Sequence, residues 1–199
     1  MMKDDSNIKS QAELPSKDYY KALHQAALTI SSSLELDQVL QSVVTSITEA
    51  MQVKACALRL LDTETGQLRL SAVNGLSSEY LAKGPVNVVN SPIDSEAIKG
   101  SPVYIPDVRT DPRFQYKEAA RHEGLVSVLC VPLEVHGGAI GVMRVYTDRP
   151  TDFVEDDIQF LSVLASLAAL SIENARLYEN IRSSYHGVMN AFWGTHVSL

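Results

Sequence analysis

The sequence lacks the residue patterns that usually mark metal sites and phosphate sites. Its five histidines and two cysteines form neither a His-Glu-x-x-His nor a Cys-x-x-Cys arrangement. Its one Gly-Gly pair, Gly137 and Gly138, lies between two apolar runs and not between a strand and a helix. We therefore expect no zinc site and no phosphate-cradling loop, and the sequence leaves the cofactor, if there is one, unknown.

An excess of positive charge and a long hydrophobic run are also missing. The chain carries 24 acidic and 17 basic residues, a net charge of −7, which argues against a nucleic-acid surface. The longest nearly apolar run, residues 160–172, is too short to span a bilayer. The first residues are polar and have no signal-peptide core, and two isolated cysteines fit a reducing compartment. We expect a cytoplasmic protein that binds neither nucleic acid nor membrane.

Residues 127–147 are the most clearly patterned part of the chain. Two runs of Val, Ile, Leu and Tyr flank Gly137 and Gly138, which can adopt the positive φ of a hairpin turn. Both runs are apolar at nearly every position. This predicts a central hairpin that is covered on both faces.

The rest of the chain predicts an α+β fold around that hairpin. Residues 17–51 read as two helices, residues 54–73 as a first hairpin, residues 83–125 as an irregular segment, and residues 153–183 as a long helix. Strands grouped in hairpins form a mostly antiparallel sheet, with the terminal helices on one face and the irregular segment on the other. We predict a flexible tail over residues 1–15, one domain over 16–182 and an extension over 183–199.

The long helix carries an apolar band wider than one contact with its own sheet requires. One side of this band can pack on the sheet and the other on a partner helix. We predict a homodimer in which the helices of residues 17–51 and 153–182 pair across a two-fold axis. The candidate dimer residues are Leu161, Leu164, Ala168, Ala175 and Tyr178.

Arg144 stands out because it is a charge inside an apolar strand. Strand alternation puts Ile140, Val142, Arg144 and Tyr146 on one face. Arg144 either binds an anionic ligand or pairs with an acid such as Asp107 or Glu134 or reaches solvent, and we favour pairing because buried charges are usually paired.

Several phrases, taken in order, resemble those of the GAF domain family of signalling modules. The resemblance covers roughly residues 20–182. The phrases are VYIPDV (103–108), DPRF (111–114), EGLVS (123–127), VPL (131–133), IGV (140–142) and AALSIENARL (168–177).

The resemblance implies a five- or six-stranded antiparallel sheet, a helical face that often dimerises, and a ligand pocket on the opposite face. The irregular segment would build that pocket, although it can also be a plain connection. The candidate pocket residues are Tyr104, Asp107, Phe114, Ser127, Cys130, Arg144 and Tyr146.

The chain departs from three ligand-binding or catalytic groups of that family. Ala57 and Val131 follow the two cysteines, where covalent bilin attachment uses a Cys-His pair. Two cysteines far apart in sequence do not match the several cysteines of the free methionine sulfoxide reductases. The Asn-Lys…Phe…Asp-Glu signature of cyclic-nucleotide binding is missing, although that signature does not line the whole pocket.

Three hypotheses follow for the function. The first is a non-catalytic sensory or regulatory module that binds a small molecule and signals through a helical dimer face to a partner protein. The second is a protein-interaction or dimerisation module with an empty pocket. The third, which the missing catalytic constellations disfavour, is a redox-active enzyme that uses Cys56 or Cys130.

Overall fold

The computed structural model describes residues 17–32 and 35–194. Within these residues, five strands form one antiparallel sheet in the order β2-β1-β5-β4-β3. The strands are β1 (Ala55–Leu61), β2 (Leu68–Asn74), β3 (Val103–Ile105), β4 (Val128–Val135) and β5 (Gly138–Tyr146). The α+β class and the antiparallel sheet are therefore confirmed, and β5 is its central strand.

Three long helices and three short ones surround the sheet in the described residues. The long helices are α1 (Lys17–Ser32), α2 (Leu36–Ala50) and α6 (Glu155–Gly194). The short α-helices are α3 (Ser78–Leu81), which precedes the irregular segment, and α4 (Pro92–Ala97) and α5 (Lys117–Glu123), which lie within it. The predicted tail over residues 1–15 lies outside the described residues.

The turn of the central hairpin lies one residue earlier than the Gly-Gly pair suggests. His136 and Gly137 have φ of 51° and 79°, while Gly138 already belongs to β5 and pairs with Val135. Two successive residues with positive φ form the turn that matches the twist of antiparallel strands. The second glycine therefore serves the strand and not the turn.

The sheet separates two hydrophobic cores. Side chains that alternate along β1 and β5 point to opposite sides, so that Cys56, Leu58 and Val145 face the long helices. Ala57 and Tyr146 face the irregular segment. We call these the helical core and the segment core. The prediction that the central hairpin is covered on both faces is therefore confirmed.

Helix α6 is longer than predicted, since it continues past residue 183 to Gly194. Its residues 155–182 are long and apolar enough to cross a membrane by length and composition. Seven of its side chains are buried in the helical core, which accounts for much of this apolar character. They are Phe160, Leu161, Leu164, Ala165, Ala168, Ala169 and Ile172.

Candidate functional site

Two arginines lie side by side on the segment face of the central strands. Arg144 of β5 is opposite Ala57 of β1, and Arg59 is two residues further along β1 on the same face. The exposed fractions are 7% for Arg59 and 4% for Arg144. Gly141 lets the strands meet here, because a Cβ at this position would lie 2.2 Å from the Arg59 carbonyl oxygen. The pairing of β1 with β5 therefore places two cations in the interior.

Arg144 forms a buried ion pair with Asp94 of α4. Its Nε donates to Asp94 Oδ1 at 2.8 Å, and its Nη2 donates to Asp94 Oδ2 and, at 3.2 Å, to Ser91 Oγ. Burial by itself lowers the pKa of Arg144, but Asp94 outweighs burial and holds that pKa well above its usual value. The preferred prediction, a paired arginine, is confirmed, but the acid is neither Asp107 nor Glu134.

Arg59 and Tyr80 keep buried polar atoms without a hydrogen-bond partner in the described residues. Arg59 Nη1 donates to the Leu68 carbonyl at 3.2 Å, whereas its Nε has no acceptor. Tyr80 is 2% exposed, and its hydroxyl lies near Tyr146 without meeting hydrogen-bond geometry. Burial raises the pKa of Tyr80 and lowers that of Arg59. Such unpaired buried groups cost free energy.

A third cation lies at the edge of this cluster. Lys83 Nζ donates to the Tyr80 carbonyl at 3.2 Å and sits 3.8 Å above the centre of the Tyr80 ring. Burial lowers the pKa of Lys83 to about 7, and Arg59 and Arg144 push that pKa in the same direction. Glu123 and Asp94 act on the pKa of Lys83 in the opposite direction.

Four of the seven predicted pocket residues surround the cluster. Arg144 Cζ lies 5.9 Å from the centre of the Phe114 ring, and Cys130 Sγ lies 3.7 Å from Asp94 Oδ1. Tyr146 packs edge-on against Tyr80, with ring centres 6.3 Å apart. The segment core brings these predicted residues together: Phe114, Cys130, Arg144 and Tyr146.

The other three predicted pocket residues lie elsewhere. Tyr104 points to the helical core, where its hydroxyl donates to the Thr151 carbonyl at 2.7 Å. Asp107 accepts from the backbone N–H and the guanidinium of Arg109, which fixes its loop. Ser127 is buried and donates to the Pro106 carbonyl at 2.8 Å. These side chains hold loops, and we remove them from the candidate site.

Two surface clefts were considered as alternative sites. One, of about 720 Å³, lies along α2 and β2 and is lined mainly by uncharged polar side chains. The other, of about 440 Å³, includes Asp107, Arg109 and Arg121. Asp107 is already bonded to Arg109 there, and Arg121 pairs with Glu118. Neither cleft contains the unsatisfied buried groups that the arginine cluster has.

Sequence reasoning missed five residues of the cluster. Arg59 carries the same signal that identified Arg144, a charge inside an apolar strand, and was open to the same argument. The others lie in the irregular segment or, for Tyr80, just before it, where no periodicity shows which side chains turn inward. The five are Arg59, Tyr80, Lys83, Ser91 and Asp94.

The cysteines lie on opposite faces of the sheet. Cys56 belongs to the helical core and Cys130 to the segment core, and both are fully buried. Burial raises the pKa of each thiol, and Asp94 adds to the effect at Cys130. The two sulfurs therefore face away from one another and remain protonated at neutral pH.

The candidate dimer residues fall into two groups. Leu161, Leu164 and Ala168 are completely buried in the helical core of the chain itself, which corrects the prediction for these three. Ala175 is half-buried and Tyr178 is exposed. Another stripe on α6 runs at alternating steps of four and three residues, and its side chains are exposed except that of Leu167, which is half-buried against the helical core. It consists of Val163, Leu167, Leu170, Asn174, Leu177 and Ile181, which we call the heptad stripe.

Comparison with known proteins agrees with this architecture. A family model described as GAF domain matches residues 33–173. The chain belongs to the GAF domain family. It is 26% identical over 162 residues to a Nif-specific regulatory protein of Azospirillum lipoferum, which covers 75% of this chain and 25% of the relative. The chain thus spans about a quarter of that relative's length.

Solved GAF domains share the fold at low sequence identity. The GAF domain of a phosphoenolpyruvate-protein phosphotransferase from Coxiella burnetii aligns with a TM-score of 0.74 at 24% identity, over 83% of this chain and 99% of that chain. A free methionine-R-sulfoxide reductase from Neisseria meningitidis aligns with a TM-score of 0.69 at 22% identity, over 83% and 95%. At these identities the likeness concerns the fold alone.

Proposed function

We propose that this GAF domain is a non-catalytic sensory module that binds a small molecule at the arginine cluster. The observation that carries the proposal is the pair of unsatisfied buried polar groups, Arg59 Nε and the Tyr80 hydroxyl, on the face opposite the long helices. In natural protein interiors nearly all buried polar groups have a hydrogen-bond partner, so we expect a ligand to supply the partner of these two groups. A regulatory relative supports a signalling role for the module.

The central strand offers a physical route from the ligand to the helices. β5 presents Arg144 to the segment core, while its neighbours Met143 and Val145 pack in the helical core. A ligand that binds one conformation of β5 more tightly than another shifts the equilibrium between these conformations, and with it the packing of both cores. We propose that the output passes from α6 to a signalling partner protein.

The heptad stripe supports a second copy of this chain as the occupant of the outer face of α6. Val163, Leu170 and Ile181 are 47%, 51% and 70% exposed, a costly arrangement for a helix that stays alone. Asn174 interrupts the stripe at the position where coiled-coil dimers place a buried polar residue to fix register and strand number. We propose a parallel dimer through this stripe.

Leu177→Lys tests the dimer. Two lysines facing each other in the seam oppose association, so light scattering should fall from the dimer mass to the monomer mass. Val154→Lys, at an exposed apolar residue outside the stripe, is the control and should remain dimeric. A monomeric wild type, or a dimer that survives Leu177→Lys, contradicts this proposal.

Native mass spectrometry of freshly purified protein, beside a denatured sample, tests the sensory role. An additional mass in the native spectrum alone supports a non-covalent ligand. A dimer without added mass favours the second candidate, an interaction module with an empty pocket, which the exposed heptad stripe also supports. A mass retained after denaturation points to covalent modification of Cys56 or Cys130 and contradicts the proposal.

A further inference from the structure

The arginine cluster has more positive than negative charge in its interior. Among the charged side chains that the structure describes as buried, Arg59 and Arg144 face the single carboxylate of Asp94. That carboxylate is engaged by Arg144 Nε, Arg144 Nη2 and, at 3.7 Å, Cys130 Sγ. Arg59 therefore keeps a buried charge whose direct hydrogen bond is to one carbonyl oxygen, that of Leu68. An unpaired interior charge is costly unless something neutralises it.

The unsatisfied atoms are donors. The Nε–H of Arg59 can only donate a hydrogen bond. The Tyr80 hydroxyl, which lies near Tyr146 and Arg144, can donate one as well. Lys83 adds an ammonium group above the Tyr80 ring. A set of donors with net positive charge selects an acceptor with negative charge, and a planar guanidinium matches the two oxygens of a carboxylate or phosphate.

We propose that the cluster binds a small oxyanion, a carboxylate or phosphate group, between Arg59 and Tyr80 and beside Arg144. This inference rests on the proposed sensory function, because it names the ligand class of that same site. The anion accepts from Arg59 Nε and the Tyr80 hydroxyl, while Asp94 keeps Arg144 in place. Arg59 and Tyr80 bind the anion directly, and Asp94 and Ser91 are positioning residues.

Access to the cluster runs past α3. Tyr80 belongs to α3 and Lys83 follows that helix, and Tyr80 packs in the segment core against Tyr146. Tyr116 holds the end of this segment, since its hydroxyl donates to the Pro85 carbonyl at 2.6 Å. Lys83 is only half-buried, so the rim of the site reaches solvent there.

Thermal unfolding of the whole chain with sodium phosphate, sodium acetate or sodium succinate tests the inference. Sodium chloride at matched ionic strength is the reference for general salt effects. A ligand that binds only the folded state raises the unfolding midpoint with concentration. We expect at least one of the three anions to raise the midpoint of wild type above the chloride reference, which separates carboxylate from phosphate as the source.

Two variants locate the effect. Arg59→Met and Tyr80→Phe each remove one hydrogen-bond donor to the anion. Each should lower the affinity for the anion by about tenfold to a hundredfold, as expected for a hydrogen bond to a charged group. Without anion, both variants should unfold at or above the wild-type midpoint, because each loses an unsatisfied buried group. Arg69→Met, on exposed β2, and Tyr104→Phe, in the helical core, are the matched controls and should keep the anion effect.

The proton on Lys83 gives a second readout. The charged and titratable groups that act on Lys83 are Arg59, Arg144, Glu123, Asp94, Tyr80 and Tyr116. A bound anion favours the protonated amine, so the affinity should be higher below the Lys83 pKa of about 7 than above it. Lys83→Met should abolish this difference in affinity between the two pH values.

Several results overturn the inference. They are the absence of any anion effect on wild type, an unchanged effect in Arg59→Met, and an equal loss in Arg69→Met. If native mass spectrometry finds a neutral or cationic ligand while no anion acts, the oxyanion is excluded and the sensory function stands. If neither a ligand mass nor an anion effect is seen, both fail together.

Discussion

The two faces of the sheet are built from the same strands but bury different kinds of side chain. On the helical side, the buried cluster consists of apolar side chains from α1, α2, α6 and the sheet. On the segment side, alternate residues of β1 and β5 bring Arg59 and Arg144 into contact with short helices and loops. The first arrangement maximises burial, and the second places charge where burial penalises it.

This difference assigns stability to one face and recognition to the other. Replacing a buried ion pair with apolar residues of similar volume is often neutral or stabilising in proteins. The Arg144–Asp94 pair is therefore weak evidence of a stabilising role, and the unsatisfied Nε of Arg59 adds a further cost in free energy. Buried charges that cost free energy in the free protein are typical of a binding site in which a ligand supplies the missing partner.

Asp94→Asn should show the largest effect in the segment core. The change leaves Arg144 as an uncompensated buried charge, which typically costs about 3–5 kcal/mol. Urea unfolding should report this loss, whereas Asp107→Asn, at a half-exposed pair, should cost at most about 1 kcal/mol. The double variant Asp94→Asn with Arg144→Met should recover most of the stability. If the double variant is as unstable as the single one, then packing and not charge is what matters here.

Leu164→Ala probes the helical core by the opposite mechanism. Leu164 is fully buried on α6, so its truncation removes transfer free energy and leaves a cavity, at a cost of about 2–5 kcal/mol. Gln159→Ala, at an exposed residue of α6 outside the heptad stripe, should change the free energy of unfolding by less than about 0.5 kcal/mol. Equal losses in the two variants, measured by urea unfolding of the same dimeric state, would contradict the described orientation of α6.

The smallest expected effect is a pH dependence from Lys83, because this side chain is half-exposed and solvent screens its charge. The pKa of Lys83 falls from an ordinary 10.5 to about 7 in the folded protein, so between these values the unfolded chain binds the extra proton. Stability should therefore rise with pH from about 7 towards 10.5, and the full penalty of the buried charge applies below 7. Lys83→Met should flatten this rise in urea unfolding, and Lys99→Met, at an exposed lysine, should leave it unchanged. A fall in stability over this window contradicts the account.

The sequence predicts the scaffold well because its strands and helices have strong periodic patterns. The apolar runs of β4 and β5 and the order of the hairpins are visible without the structure. The partner of Arg144 is not, because Asp94 lies 50 residues away on a six-residue helix in a proline-rich stretch. Only the tertiary packing of that segment brings the two charges together.

The dimer residues show a different limit of sequence reasoning. Helix α6 carries two apolar stripes, one buried on the sheet and the heptad stripe facing outward, and both have spacings of three and four residues. In the sequence they merge into one broad band. Leu161 and Leu164 therefore resemble seam residues in the sequence, whereas in the structure they are completely buried in the helical core. Which of the two stripes faces outward is decided by which one packs against the sheet.

The central claim is that recognition and assembly reside on opposite faces of one sheet. Native mass spectra of wild type, Arg59→Met and Leu177→Lys, each with the anion that most stabilises wild type, read both properties at once. We expect Arg59→Met to remain dimeric without the anion, and Leu177→Lys to bind the anion as a monomer. The claim is contradicted if Arg59→Met keeps the anion or dissociates, or if Leu177→Lys loses the anion together with its partner.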